Sequence, residues 1–226
     1  MTEGSPSVAF RTGDYLIANK PRGMPVHATR DPNRANLLAW ARELVGENTP
    51  LTLHHRIDVW TSGLVALSTS DAGNRALADA FETRSITKRY QAVCVGRPTD
   101  DIGELRHYLA KKRIDGIDRM LSVRSGGKVA IAHYELDAYD PATDRSLISF
   151  ELETGRMHQL RVQAAESGWP MLGDDLYGDP AANAAADVRG QLLHAEHLAF
   201  TDPIHSIPIE VTTRAPRIFQ DLAPTS

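Results

Sequence analysis

One cysteine among 226 residues, Cys94, rules out any intrachain disulfide. It lies in an apolar run that alternates like a strand, so a buried, inert thiol is expected. Long apolar runs are missing too: none approaches the ~20 residues a helix needs to cross a bilayer. The start, Met1-Thr-Glu-Gly-Ser-Pro-Ser7, lacks the basic-then-apolar order of a secretion signal. A cytoplasmic location away from membranes is the expectation. An excess of one charge sign is also lacking, with 25 Lys/Arg against 29 Asp/Glu and a net charge of -4. That balance alone does not mark a nucleic-acid binder. Metal-binding patterns are scarce. His194-x-x-His197 has the wrong spacing for the helical metalloprotease motif, and with one cysteine in the chain no metal site is expected. Gly173-Asp-Asp-Leu-Tyr-Gly178 lacks the Gly-Lys-Ser/Thr ending of a phosphate loop and reads as a tight connection.

The chain has 42% hydrophobic and 24% charged residues, ordinary for a globular protein. Its length suits one large domain or two small ones. The charge is uneven. Residues 84–128 carry eleven Lys/Arg against five Asp/Glu, a basic segment on an acidic body that could hold phosphates or simply be a solvated loop.

Residues 1–7 are expected to be disordered. Val8–Phe10 and Tyr15–Ala18 read as two strands around a Thr12-Gly-Asp14 turn. Asn36–Val45 reads as a helix burying Leu37, Leu38, Ala41 and Leu44, and Ser70 caps a second from Asp71 to about Glu82. Lys88–Val95, 132–138, 148–152, Leu192–Phe200 and Ile207–Val211 alternate as strands. Residues 99–128 read as a polar, basic excursion. Thr154 is expected to cap a helix ending at Gly168, and residues 181–188 are either a helix or a surface insertion. With no repeat and no long linker, the fold class is α+β: one domain, residues 8–226, on a largely antiparallel sheet.

The chain is organised around His54-His-Arg-Ile-Asp58-Val-Trp-Thr-Ser-Gly63, set between the apolar runs 51–53 and 64–67. A carboxylate on the rim of buried segments is costly unless something engages it. From local spacing, Asp58 is either a turn cap or a reactive group.

Five ordered stretches resemble one family. His55-Arg-Ile-Asp58-x-x-Thr61-Ser-Gly-Leu64 is similar to the catalytic signature of the RluA-type RNA pseudouridine synthases. Asn19-Lys-Pro-x-Gly23-Met24, Lys88-Arg-Tyr90-x-Ala92-Val93, Thr154-Gly-Arg-Met-His-Gln-Leu-Arg161-Val162 and Leu193-His-Ala-Glu-His197 resemble its other motifs. The resemblance implies a mixed, mainly antiparallel sheet with a central RNA-binding cleft and no accessory RNA-binding domain ahead of the core. It implies isomerisation of uridine in ribosomal or transfer RNA by a monomer, without cofactor, metal or obligatory protein partner. Asp58 matches the catalytic aspartate, which attacks the sugar or the uracil ring, or takes a ribose proton. Arg161 matches the residue that pairs with that aspartate, Tyr90 a phenol that stacks on the extruded base, and Arg56 the residue that fills the vacated stack. From pattern alone Arg161 and Arg56 would be surface arginines and Tyr90 a core aromatic.

Val59, Trp60, Gln163 and Asp202 depart from the family pattern and are expected to alter the rim of the cleft. Two rival readings are an RNA-binding protein that keeps the fold without turnover, and a carboxylate-dependent glycosidase. The second would need a partner carboxylate such as Glu153 or Asp174.

Overall fold

The computed structural model describes residues 4–224. In chain order the elements are β1 (Ser7–Arg11), β2 (Tyr15–Lys20), α1 (Leu37–Val45), β3 (Thr52–Leu53), β4 (Ser62–Ser68) and α2 (Asp71–Glu82). There follow β5 (Thr87–Val95), β6 (Ile102–Ile114), β7 (Ile117–Ser122), β8 (Lys128–Asp140), β9 (Arg145–Leu152) and α3 (Gln159–Glu166). Last come α4 (Pro180–Ala186), β10 (Leu193–Thr201), β11 (Pro208–Thr212) and α5 (Arg217–Leu222). The class is α+β, with mixed, mainly antiparallel pairing.

The backbone forms two compact units interleaved along the chain. One takes residues up to Lys88 together with His194–Ala215; the other takes Arg89–Leu193 and the residues from Pro216 on. The chain leaves and re-enters a unit within continuous elements, so no composition break marks a boundary.

In the first unit the strand order is β1-β2-β4-β10, with β11 on β10 and β3 on β4. Only the β4–β10 pair is parallel, His194 opposite Ser62 and Ala195 opposite Gly63. Every residue of β4 is buried. Its core packs Tyr15, Ile17, Leu64 and Ala66 against Leu77 and Ala80 of α2 and against Leu198, Phe200, Ile209 and Val211. Tyr15 and Phe200 meet edge to face at 5.5 Å. The Ser70 hydroxyl caps α2 by accepting from Gly73 N at 2.9 Å and donates to the Asp14 carboxylate.

In the second unit β5-β9-β8-β6-β7 are antiparallel throughout. Leu109, Met120 and Ala130 pack with Val162 of α3, and Trp169 lies on Phe150 (5.9 Å) and Tyr134 (5.2 Å).

Several expectations are corrected. The 99–128 excursion is the β6–β7 hairpin running on into β8. Its buried side chains, Leu105, Leu109 and Met120, are few and set among exposed charged residues, so its strand period is faint in the residue types. Thr154 does not cap a helix: its hydroxyl accepts from Ile131 N and donates to Gln159 Oε1, both at 2.8 Å. The helix starts later, at Gln159, behind a left-handed His158 (φ 52°, ψ 23°). Leu44 is exposed. Residues 181–188 overlap a helix capped by Asp179, and α5 was not anticipated. Of the 1–7 stretch expected to be disordered, residues 1–3 lie outside the described residues and Ser7 already pairs with Asn19.

Candidate active site

Asp58 precedes β4, and its position follows from how that strand is held. Gly63 has φ 107°, a region that penalises side chains. A Cβ there would lie 2.2 Å from the carbonyl oxygen of Ala195, so only glycine lets β4 and β10 approach. Beside it, His194 Nε2 donates to Thr213 O (3.3 Å), which leaves Nδ1 to accept from the Ser62 hydroxyl (2.9 Å). Burial pushes this imidazole down to about 4, consistent with that neutral tautomer. His194 is thus engaged on both ring nitrogens within this strand pairing.

The segment leading into Asp58 is pinned by side chains. His55 Nε2 accepts from Ala66 N at 2.9 Å, and its ring stacks on Phe81 at 5.0 Å. Burial, with help from the nearby Lys88 charge, pushes His55 down to about 3, so it stays neutral. His54 bonds the Ser68 hydroxyl at 2.9 Å. Ile57 is buried, Arg56 exposed and Asp58 half-buried. Asp58 opens a turn closed by Thr61 N donating to Asp58 O at 3.2 Å.

Two buried cations grip that turn. Lys20 ends β2 opposite Gly63, and its Nζ donates to Pro21 O (3.0 Å), Met24 O (2.8 Å) and Val59 O (3.1 Å). These use all three ammonium protons. Burial pushes Lys20 down to about 7, while the Asp58 charge pulls the other way. Arg22, fully buried, donates from NH1 to Trp60 O at 3.2 Å, its Cζ 5.7 Å from the Trp60 ring centroid. The roles of Lys20 and Arg22 were missed from sequence. Lys20 stood in a quoted motif, and the only other signal was a pair of cations flanking a proline.

Tyr90 and Arg161 belong to the second unit. Tyr90 is buried on β5 opposite Phe150. Arg161, in the first turn of α3, is 5% exposed. Its Nε meets Asp174 Oδ2 at 2.7 Å and its NH2 meets Oδ1 at 2.8 Å, a two-point fork. Asp174 Oδ1 also accepts from the backbone N–H of Leu176 (2.9 Å) and Tyr177 (3.1 Å). The Tyr177 ring lies under the guanidinium at 5.2 Å, and its hydroxyl accepts from Met120 N at 2.9 Å. The Gly173–Gly178 connection is therefore an arginine clamp, and Asp174 and Tyr177 join the candidate residues.

Two of the four departures are internal rather than on a rim. Gln163 is fully buried, donating to Leu105 O (2.9 Å) and Ala130 O (3.1 Å). Asp202 is 2% exposed and accepts from the Tyr15 hydroxyl (2.5 Å) while engaging His205 Nδ1 (2.6 Å). Gln163 is buried within α3 and Asp202 just after β10, where a place on the rim was expected. The ligand-capable trio Glu104, His133 and Glu153 is exposed. Its members are engaged locally: His133 bonds Glu153 at 2.6 Å and Arg106 holds Glu104 at 2.8 Å.

The hairpin carries cations at its far end. Lys112 lies directly opposite Arg119, and Arg113 opposite Asp118. Lys111 is tied to Asp118 at 2.7 Å. No helix of the described residues is long and apolar enough to cross a membrane.

Residues 14–166 match the family model described as RNA pseudouridylate synthase. Ribosomal large subunit pseudouridine synthase D of Zymomonas mobilis is 34% identical over 226 residues, covering 94% of this chain and 70% of that protein. An RNA pseudouridine synthase of Bacillus subtilis, YhcT, is 30% identical, covering 89% of this chain and 66% of its own length. The chain thus spans about two thirds of these relatives. In fold, human RNA pseudouridylate synthase domain containing 1 superimposes with a TM-score of 0.78 at 24% identity, over 96% of this chain and 87% of that one. The family's members are isomerases that act on RNA. This chain belongs to the RNA pseudouridylate synthase family, on the RluA branch.

Proposed function

We propose that the chain converts uridine to pseudouridine in structured ribosomal or transfer RNA, with Asp58 as the catalytic carboxylate. The observation that carries this reading is the hold on the Asp58 turn: Lys20 on the carbonyl of Val59 and Arg22 on that of Trp60. Buried cations spent on the backbone of one short turn preorganise the carboxylate at its head, as a reaction centre requires.

Arg56, exposed beside Asp58, is the residue to enter the stack in place of an extruded uridine. Tyr90 and Arg161 are substrate-binding residues, Arg161 aimed by its fork to Asp174. The Lys112 and Arg113 end of the hairpin offers phosphate contacts, whereas Lys111, neutralised by Asp118, does not. The chain uses its own side chains alone, acts as a monomer and resides in the cytoplasm. The glycosidase reading loses its second carboxylate. Asp174 is committed to Arg161 and Glu153 to His133.

Release of the C5 hydrogen of uracil from labelled cellular RNA tests the reading. Asp58→Asn should lower release by about a thousandfold or more while RNA binding persists. Normal release by Asp58→Asn would remove Asp58 from the chemistry. No release by the parent on any RNA would favour a binding protein that keeps the fold.

A further inference from the structure

Within the Asp58 turn stands Trp60, and the turn is built to hold it still. The chain leaves it through the buried Thr61 and Ser62. The carbonyl before Trp60 is bound by Lys20, and its own carbonyl by Arg22. The Arg22 guanidinium also backs the indole ring at 5.7 Å. Yet Trp60 itself is only half-buried. Burying two cations is costly, and a tryptophan needed only for packing would be closed into the apolar core with no such support. A rigid, partly exposed indole two residues from a catalytic carboxylate is a surface already prepared for a flat ligand, with little side-chain entropy left to lose.

We propose that Trp60 forms a base-stacking subsite for the nucleotide adjacent to the target uridine. This inference rests on the synthase reading. A uridine whose glycosidic bond reaches Asp58 brings its chain neighbour within about one nucleotide, the distance scale that separates Asp58 from Trp60 in one turn. Stacking accepts any base, because each has a π face, so Trp60 contributes affinity and register without reading sequence. The guanidinium behind the ring completes a cation–indole–base sandwich.

The test is binding of a single-stranded RNA nonamer with a central uridine to the full chain, followed by tryptophan emission and by competition. The parent should be quenched on binding. Trp60→Phe should keep affinity within about threefold while losing most of the quench, and Trp60→Leu should bind roughly tenfold more weakly. On an RNA that the parent modifies, Trp60→Leu should act through KM rather than kcat. No quench in the parent, a full quench in Trp60→Phe, or parental affinity in Trp60→Leu overturns the subsite. Should Trp60→Leu prove poorly folded by its melting curve, the Trp60→Phe quench decides alone. Failure of the synthase reading would appear separately, as absent hydrogen release with the nonamer quench intact.

Discussion

The two units each bury cations, but they spend them differently. At the Asp58 turn, Lys20 and Arg22 bind neutral backbone carbonyls. At the clamp, Arg161 meets a carboxylate in a two-point fork, and that carboxylate also takes two backbone N–H groups. The first arrangement shapes a loop and keeps a positive field beside Asp58. The second is a two-point ion pair, whose worth lies in fixing the direction of one guanidinium. Buried pairs add little net stability over apolar packing, yet breaking one strands a charge. The difference predicts which substitutions unfold the protein and which slow it.

The largest effect separates the two. Asp174→Ala removes the carboxylate that the Arg161 fork engages and should cost about 3–5 kcal/mol in urea unfolding. Lys20→Met removes a charge from beside the half-buried Asp58 and a donor from three carbonyls, but it strands no fully buried ion and keeps an unbranched apolar chain in place, so it should cost less. A Lys20→Met loss exceeding that of Asp174→Ala would break the comparison.

Arg161→Lys sharpens the clamp side. An ammonium keeps the charge but not the planar fork. The fold should survive, and single-turnover pseudouridine formation should slow roughly tenfold or more. A variant as fast as the parent would show that direction at this position is immaterial.

A further difference appears in acid. The Asp58 region leans on two imidazoles held neutral, His55 pushed to about 3 and His194 to about 4. In the unfolded chain both titrate near 6.5, so below that pH the unfolded state binds the extra protons. Their contribution is complete above pH 6.5 and lost as pH falls toward 4. Unfolding free energy should decline across that window, and less steeply in His194→Asn. An equal slope in both proteins would take His194 out of the acid response.

Much of this was legible. Ser70 announces α2 because a hydroxyl before an amphipathic run satisfies free N–H groups, and α2 spans Asp71–Glu82 as expected. Short continuous apolar runs located β2 and β4, because strands buried on both faces stay apolar along their length. The hairpin from Ile102 to Ser122 escaped notice because only Leu105, Leu109 and Met120 of it are buried, too few to stand out among its charged residues. The helix start was misplaced because Thr154 satisfied Ile131 N across the sheet instead of its own chain.

The sequence by itself determined the family and Asp58 as the candidate carboxylate, since five motifs in order constrain both. Tertiary structure alone decided what the charges do. Nothing local joins Lys20 to Val59, Arg22 to Trp60 or Arg161 to Asp174, because each pair is separated by 13 to 39 residues of chain. Such contacts arise only after strands have paired and water has been excluded, and it is then that a buried cation must take whichever oxygen lies within reach.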